Sequence, residues 1–239
     1  MSREYVVSKI VPAQSIEALL QLLKKSPRGA VFNPWWQVDV ENDIGPQAPR
    51  IRREQLRAYF SERIGKARLA LIGEALGYRG GHFTGIAMTS ERILLGGRTA
   101  GGIEPRDVLS SIATRRTSRP EKNPDGFSES TASIVWSTLL RLDLPPDRFV
   151  LWNVFPWHSF DQRAGMLSNR TPTKAEMATG APTLIALLYL FPCERVVAVG
   201  RLAASQLARI GVSMDCVRHP ASGGAAAFRK EIGAIVRKL

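Results

Sequence analysis

Leu69-Ala70-Leu71-Ile72, followed without a break by Gly73-Glu74-Ala75-Leu76-Gly77-Tyr78-Arg79-Gly80-Gly81-His82-Phe83-Thr84-Gly85, is the stretch that decides the fold. A short apolar run that ends in glycine reads as a buried strand emptying into a loop. An open α/β sheet places its ligand crevice at such strand carboxyl ends. Glycine lets a ligand approach the backbone closely and takes positive φ without strain. Glu74, His82 and Phe83 then stand where they would read, or stack on, a bound group.

Working outward, residues 148–154, 195–200 and 214–218 form three more short, apolar, mostly β-branched runs, which join 68–73 as predicted strands. Helix-compatible sequence separates them, a pattern that predicts a parallel sheet with helices on both faces. The expected architecture is therefore a three-layer αβα sandwich around four parallel strands. Helices are predicted over 15–25, 52–66, 130–142, 175–189 and 203–210, with a last one running through Lys230. In the first, Ser15 suits an N-cap, and Ile16, Leu19, Leu20 and Leu23 share one face. The second is basic on its outer side. Residues 96–128 are rich in Gly, Arg, Ser, Pro and Asn and read as a long basic loop, functional or mobile. The whole chain, 1–239, reads as one domain, with a helical amino-terminal segment over 1–65 and a core over 66–235.

Charge narrows the class of partner. The chain has 33 Lys+Arg against 21 Asp+Glu, a net charge of +12 that favours a polyanion, and nucleic acid is the commonest one. Arg50, Arg52, Arg53 and Arg57 cluster, as do Arg115, Arg116 and Arg119, which favours phosphate contact over diffuse compositional bias. No apolar stretch approaches the roughly 18 residues that cross a membrane, and no signal peptide is recognisable. Cys193 and Cys216 are too few for a disulfide framework. A cytoplasmic, nucleoid-associated monomer with free thiols and no metal is the expectation.

In a parallel sheet, three segments emerge on one edge. They are the glycine-rich loop, the run Leu151-Trp152-Asn153-Val154-Phe155-Pro156-Trp157-His158, and Val217-Arg218-His219-Pro220-Ala221-Ser222-Gly223-Gly224. Singly, each has a plain reading: a tight turn, a capping asparagine, a local His-Pro turn. Together they bring an acid, an amide, an imidazole and an aromatic ring to one crevice.

Together they also resemble the uracil-DNA glycosylase superfamily, over roughly residues 65–235. Gly73-Glu74-Ala75-Leu76-Gly77 is similar to the Gly-Glu-Ala-Pro-Gly first motif of the bacterial and archaeal iron–sulfur branch, and Phe83 stands at that branch's base-stacking position. Trp152-Asn153-Val154 resembles the strand end with the uracil-reading Asn, and His219-Pro220-Ala221-Ser222 the His-Pro-Ser motif. The chain departs from the pattern in several places. Two cysteines cannot supply a four-cysteine cluster, so no iron–sulfur cofactor is expected. Leu76 replaces the motif Pro, and Ala75 stands where the best-known branch has a water-positioning Asp. Gly77 aligns with the Tyr that excludes thymine, and Ser222-Gly223-Gly224 replaces an intercalating Leu.

The resemblance implies a uracil pocket of Gly73, Glu74, Ala75, Phe83, Asn153 and His219, acting on single- or double-stranded DNA and releasing free uracil. His219 is the expected catalytic group, and Glu74 either positions water or is a structural carboxylate. Arg218, Ser222, Gly223 and Gly224, with Arg115, Arg116 and Arg119, are the expected phosphate contacts. His82 is assigned to phosphate contact or loop packing. Two other readings stand beside this one: a protein that binds uracil or abasic DNA without turnover, and an α/β enzyme on a nucleotide. The second lacks the Gly-Lys-Ser/Thr ending of a P-loop.

Overall fold

The computed structural model describes residues 15–239. In chain order these form α1 (Ile16–Leu23), β1 (Val31–Phe32), α2 (Ala48–Ser61), β2 (Leu69–Ala75) and three short helical turns, α3 (Gly81–Thr84), α4 (Glu91–Leu94) and α5 (Pro105–Val108). Then follow α6 (Ser130–Arg141), β3 (Phe149–Phe155), β4 (His158–Ser159), α7 (Lys174–Leu190), β5 (Arg195–Val199), α8 (Arg201–Arg209), β6 (Asp215–Val217) and α9 (Ala225–Val236). The four predicted strands make one parallel sheet of order β3-β2-β5-β6, flanked by helices as the alternation requires.

The centre of the sheet is dry. Leu69, Ala70, Leu71 and Ile72 are fully buried, and every residue of β3 is buried. Strands covered on both faces have no polar side to alternate, which is why both read as continuous apolar runs. From β2 the chain moves to β3 on one side and then crosses back to β5 on the other. The crevice beyond the carboxyl end of β2 is thus a topological switch point.

Local signals behave as their chemistry dictates. The Ser15 hydroxyl caps α1 by accepting from the Ala18 N–H at 3.2 Å. Thr173 and Glu176 close a capping box on α7. The helix predicted over 52–66 instead spans 48–61, because Pro49, in its first turn, starts it early. The segment 1–65 is not purely helical. Within its described part, Val31–Phe32 pairs antiparallel with His158–Ser159, a contact between distant residues that no local pattern announces. The first part of the predicted helical segment, residues 1–14, lies outside the described residues.

Two expectations about the arginines need correction. Arg52 does not face phosphate: it is fully buried, ion-paired to Asp43, and donates to the Pro34 carbonyl at 3.0 Å. Arg53 lies over the Trp36 ring at 4.2 Å, and Arg57 pairs with Glu17 at 2.6 Å. Residues 96–128, moreover, are fastened down rather than a free excursion. The buried Glu91 carboxylate accepts from the N–H groups of Thr117 and Ser118 at 2.7 and 2.9 Å, and Arg119 N–H donates to the Asn42 carbonyl at 2.7 Å. Among the described residues no helix is long and apolar enough to cross a membrane.

Removing one partner of a fully buried ion pair leaves the other charge uncompensated and costs about 3–5 kcal/mol. Arg52→Ala is therefore expected to lower unfolding free energy by about that much, read from urea denaturation, whereas Arg50→Ala, on the exposed face, changes it by less than about 1 kcal/mol.

Candidate active site

The register of the sheet sets two of the predicted site residues side by side. Gly73 on β2 lies directly beside Asn153 on β3. A Cβ at Gly73 would sit 2.5 Å from Asn153 Oδ1, so only glycine leaves the amide its place across the neighbouring strand. Asn153 is 2% exposed, and its Nδ2 has no hydrogen-bond partner. A buried donor left unpaired costs about 1–3 kcal/mol.

A cavity of about 390 Å³ opens where β2 ends, lined by the start of the glycine-rich loop (Glu74, Ala75, Leu76, Gly77), by Glu129 and Thr131, by Asn169, Arg170 and Thr171, and by His219 and Ala221; Gly73 and Asn153, predicted for the same pocket, do not line it. The two sequence-predicted chemical groups, Glu74 and His219, meet here as the topology requires. Burial raises the Glu74 carboxyl against a hydrogen bond from Thr171. Burial and the neighbouring Arg218 charge lower the His219 imidazole, which favours the neutral ring. The Ala221 N–H donates to His219 Nδ1 at 3.1 Å. That contact fixes the tautomer: Nδ1 is the acceptor and Nε2 carries the proton.

Glu129, just before α6, is a site residue that the sequence reading missed. Burial alone pushes its carboxyl up to about 7, and Oε2 has no hydrogen-bond partner. Its head packs against the backbone at Gly80, where any Cβ would collide with it. Asn169 and Thr171 were also missed. Asn169 Oδ1 accepts from the Tyr78 N–H at 3.0 Å, tying the glycine-rich loop to the segment after β4. The adjoining Arg170 is bidentate to Glu176 at 2.7 Å. The only signal available was a polar run downstream of the strand carrying Asn153.

Other predicted residues are placed differently. Phe83 does not line the cavity. Its ring is fully buried, stacked on Phe127 at 4.3 Å and against His82 at 4.4 Å. A base can use the Phe127-covered face only after Phe127 moves off it. His82 is fully buried as well, which rules out phosphate contact in this arrangement and leaves loop packing. Arg115 is ion-paired to Glu54, Arg116 donates to the Asn123 carbonyl at 2.8 Å, and Arg119 donates to the carbonyls of Asp43 and Val40 at 2.9 and 2.8 Å. Each guanidinium thus makes one or two contacts within the protein and keeps further N–H donors open. Ser222 and Gly223, with φ of 51° and 76°, are exposed beside exposed Arg218 where the chain enters α9. Among the described residues no three His, Cys, Asp or Glu are grouped to hold a metal ion.

The model of the uracil DNA glycosylase superfamily matches residues 61–236, which span β2 and all three loops of the site. The chain belongs to the uracil-DNA glycosylase superfamily. A crystal structure of wild-type Pedobacter heparinus SMUG2 superposes with a TM-score of 0.58 at 13% identity, covering 93% of this chain and 97% of that one. At that identity the likeness speaks for the glycosylase fold alone. No curated protein sequence matches significantly.

Two measurements probe this geometry. Gly73→Ala is expected to displace the Asn153 amide, visible as a shift of its side-chain NMR resonance while circular dichroism stays unchanged. Glu129 has a folded-state pKa raised from 4.5 to about 7, so its favourable contribution is complete below 4.5 and fades as pH rises through 7. Glu129→Gln should remove that fade, and the difference in melting temperature between variant and wild type should shift in the variant's favour across this window.

Proposed function

We propose that this superfamily member excises uracil from DNA by hydrolysing the N-glycosidic bond and leaving an abasic site. The observation that carries the reading is the fixed tautomer of His219, whose Nε2–H is held as a donor in a cavity shared with Glu74. As the bond breaks, negative charge gathers on the departing base. A neutral imidazole that presents an N–H to uracil O2 stabilises that charge without itself having to lose one.

The remaining residues fill consistent roles. Extruding a nucleotide costs a few kcal/mol, less at a mispair or in a single strand. The unpaired Nδ2 of Asn153 donates to uracil O4 while Oδ1 accepts from N3–H. Cytosine reverses that pattern and leaves the amide mispaired. Glu74 holds the attacking water in the absence of a motif Asp at Ala75. Glu129, its carboxyl pushed up to about 7, carries little charge well below that pH. Ser222, Gly223 and Gly224 at the start of α9, with Arg218, grip the backbone. Arg115, Arg116 and Arg119, each with N–H donors still open, supplement that grip.

A second reading, binding of uracil or abasic DNA without turnover, is favoured by Ala75 and by the Phe127 ring stacked over Phe83. One assay separates the two: a uracil-containing oligonucleotide is incubated with the protein and then treated with alkali. Strand scission is expected, and retained binding without scission would establish the second reading. His219→Ala and Asn153→Ala are each expected to slow single-turnover excision at least about tenfold, roughly 1.4 kcal/mol of barrier. Asn153→Asp should narrow the preference for uracil over cytosine.

A further inference from the structure

Beneath the glycine-rich loop three contacts run in line through the interior. Asp39 Oδ2 lies 3.1 Å from His82 Nε2, His82 Nδ1 lies 3.0 Å from His158 Nδ1, and His158 Nε2 lies 2.7 Å from the Ser168 carbonyl. Asp39, His82 and His158 are at most 2% exposed. Both ends of the line are acceptors. The Ser168 carbonyl has no proton to give. The Asp39 carboxylate already accepts from Asn42 Nδ2 at 2.8 Å and from the N–H groups of Glu41 and Asn42 at 3.2 Å. Burial would raise this carboxyl, but the hydrogen bonds from His82 and Asn42 prevail and hold it down at about 2.

Each of the three contacts therefore needs a proton from an imidazole nitrogen, and two neutral imidazoles carry only two. With two, one contact sets lone pair against lone pair, and Asp39 is left as a net buried charge. With three, every contact is a hydrogen bond and the added positive charge cancels the carboxylate. We propose that Asp39, His82 and His158 form one electrically neutral unit at pH 7 in which the two rings share three protons, the third lying between the Nδ1 atoms. Taken singly, each ring is held down by burial, His82 at about 3 and His158 at about 4; the carboxylate and the carbonyl at the two ends, and the Nδ1–Nδ1 contact that two neutral rings leave without a proton, favour keeping it. The third proton belongs to the pair rather than to either ring.

Two nearby cations oppose the third proton, Arg52 at His82 and Arg170 at His158, and each is offset in part by a carboxylate of its own. Asp43, which accepts from the Asp39 N–H at 2.9 Å, is itself ion-paired to Arg52 of α2. Glu91 of α4 is satisfied by Thr117 and Ser118, and Arg170 is committed to Glu176. Phe32 stacks on His82 at 4.2 Å, and Phe160 borders His158 at 6.0 Å.

His82 sits in the loop that forms one cavity wall and is followed directly by Phe83. His158 opens the segment that carries Asn169 and Arg170 on another wall. The shared proton joins the two segments, and the Asn169–Tyr78 contact joins them a second time. Both histidines are positioning residues. Their bearing on the base pocket rests on the glycosylase reading, whereas the proton count does not.

The test uses the wild-type protein with ¹⁵N-labelled histidine. The chain has three histidines, and His219→Gln assigns the one outside the pair. At pH 7 the expected NMR result is three protonated nitrogens among the four of His82 and His158. A count of two overturns the proposal. As pH rises and the third proton leaves, amide exchange over residues 76–85, corrected for intrinsic rates, should accelerate. Unchanged protection through that transition overturns the clamp. Neither readout involves excision, so an inactive protein that holds three ring protons would count against the glycosylase reading alone.

Discussion

The site depends on the parallel pairing of β2 with β3, which sets Gly73 beside Asn153. In a parallel sheet buried on both faces, a polar side chain can be tolerated only near a strand end, where it can meet a ligand. Asn153 lies two residues from the end of β3, and the missing side chain at Gly73 is the room it needs. A one-residue slip would turn the amide to the other face of the sheet. Burial of Leu69–Ile72 against the wholly buried β3 makes that slip expensive. Core packing and the placing of the Asn153 amide thus draw on the same register.

Charge is used in two different ways. The surplus of +12 suggests a nucleic-acid surface, yet many of the arginines behind it serve the fold. Arg52 is buried with Asp43, Arg63 is buried with its guanidinium over the Tyr59 ring, and Arg119 laces the 96–128 segment to residues 40–43. A guanidinium suits such work because five fixed donors can satisfy several buried carbonyls at once. The cavity is the reverse case. Its two carboxyls are raised and its imidazole lowered, all three driven mainly by burial toward their neutral forms. A low-charge cavity in a basic protein suits a neutral base extruded from a charged backbone.

Much of this was legible in the chain. The continuous apolar runs announced the buried parallel strands, and Ser15 announced the start of α1. That Glu74 and His219 share a cavity followed from their places at the ends of the first and fourth predicted strands. Glu129 escaped because a lone glutamate before a helix looks like a solvated cap. Its shifted titration comes from burial against Gly80, which no local sequence reports. The arginine clusters misled for the opposite reason. Residues adjacent in sequence looked like one surface, yet a helix sends neighbours in different directions, and Arg52 went inward while Arg50 stayed out.

The sequence by itself determined the sheet, the order of its loops and the family, because hydrophobic period and glycine placement are local properties that survive without coordinates. Only the tertiary structure decided which groups share the cavity, that Phe127 covers Phe83, and that His82 meets His158 over a separation of 76 residues. Hydrogen-bond partnership and desolvation are set by three-dimensional neighbours, and chain order carries almost no record of those.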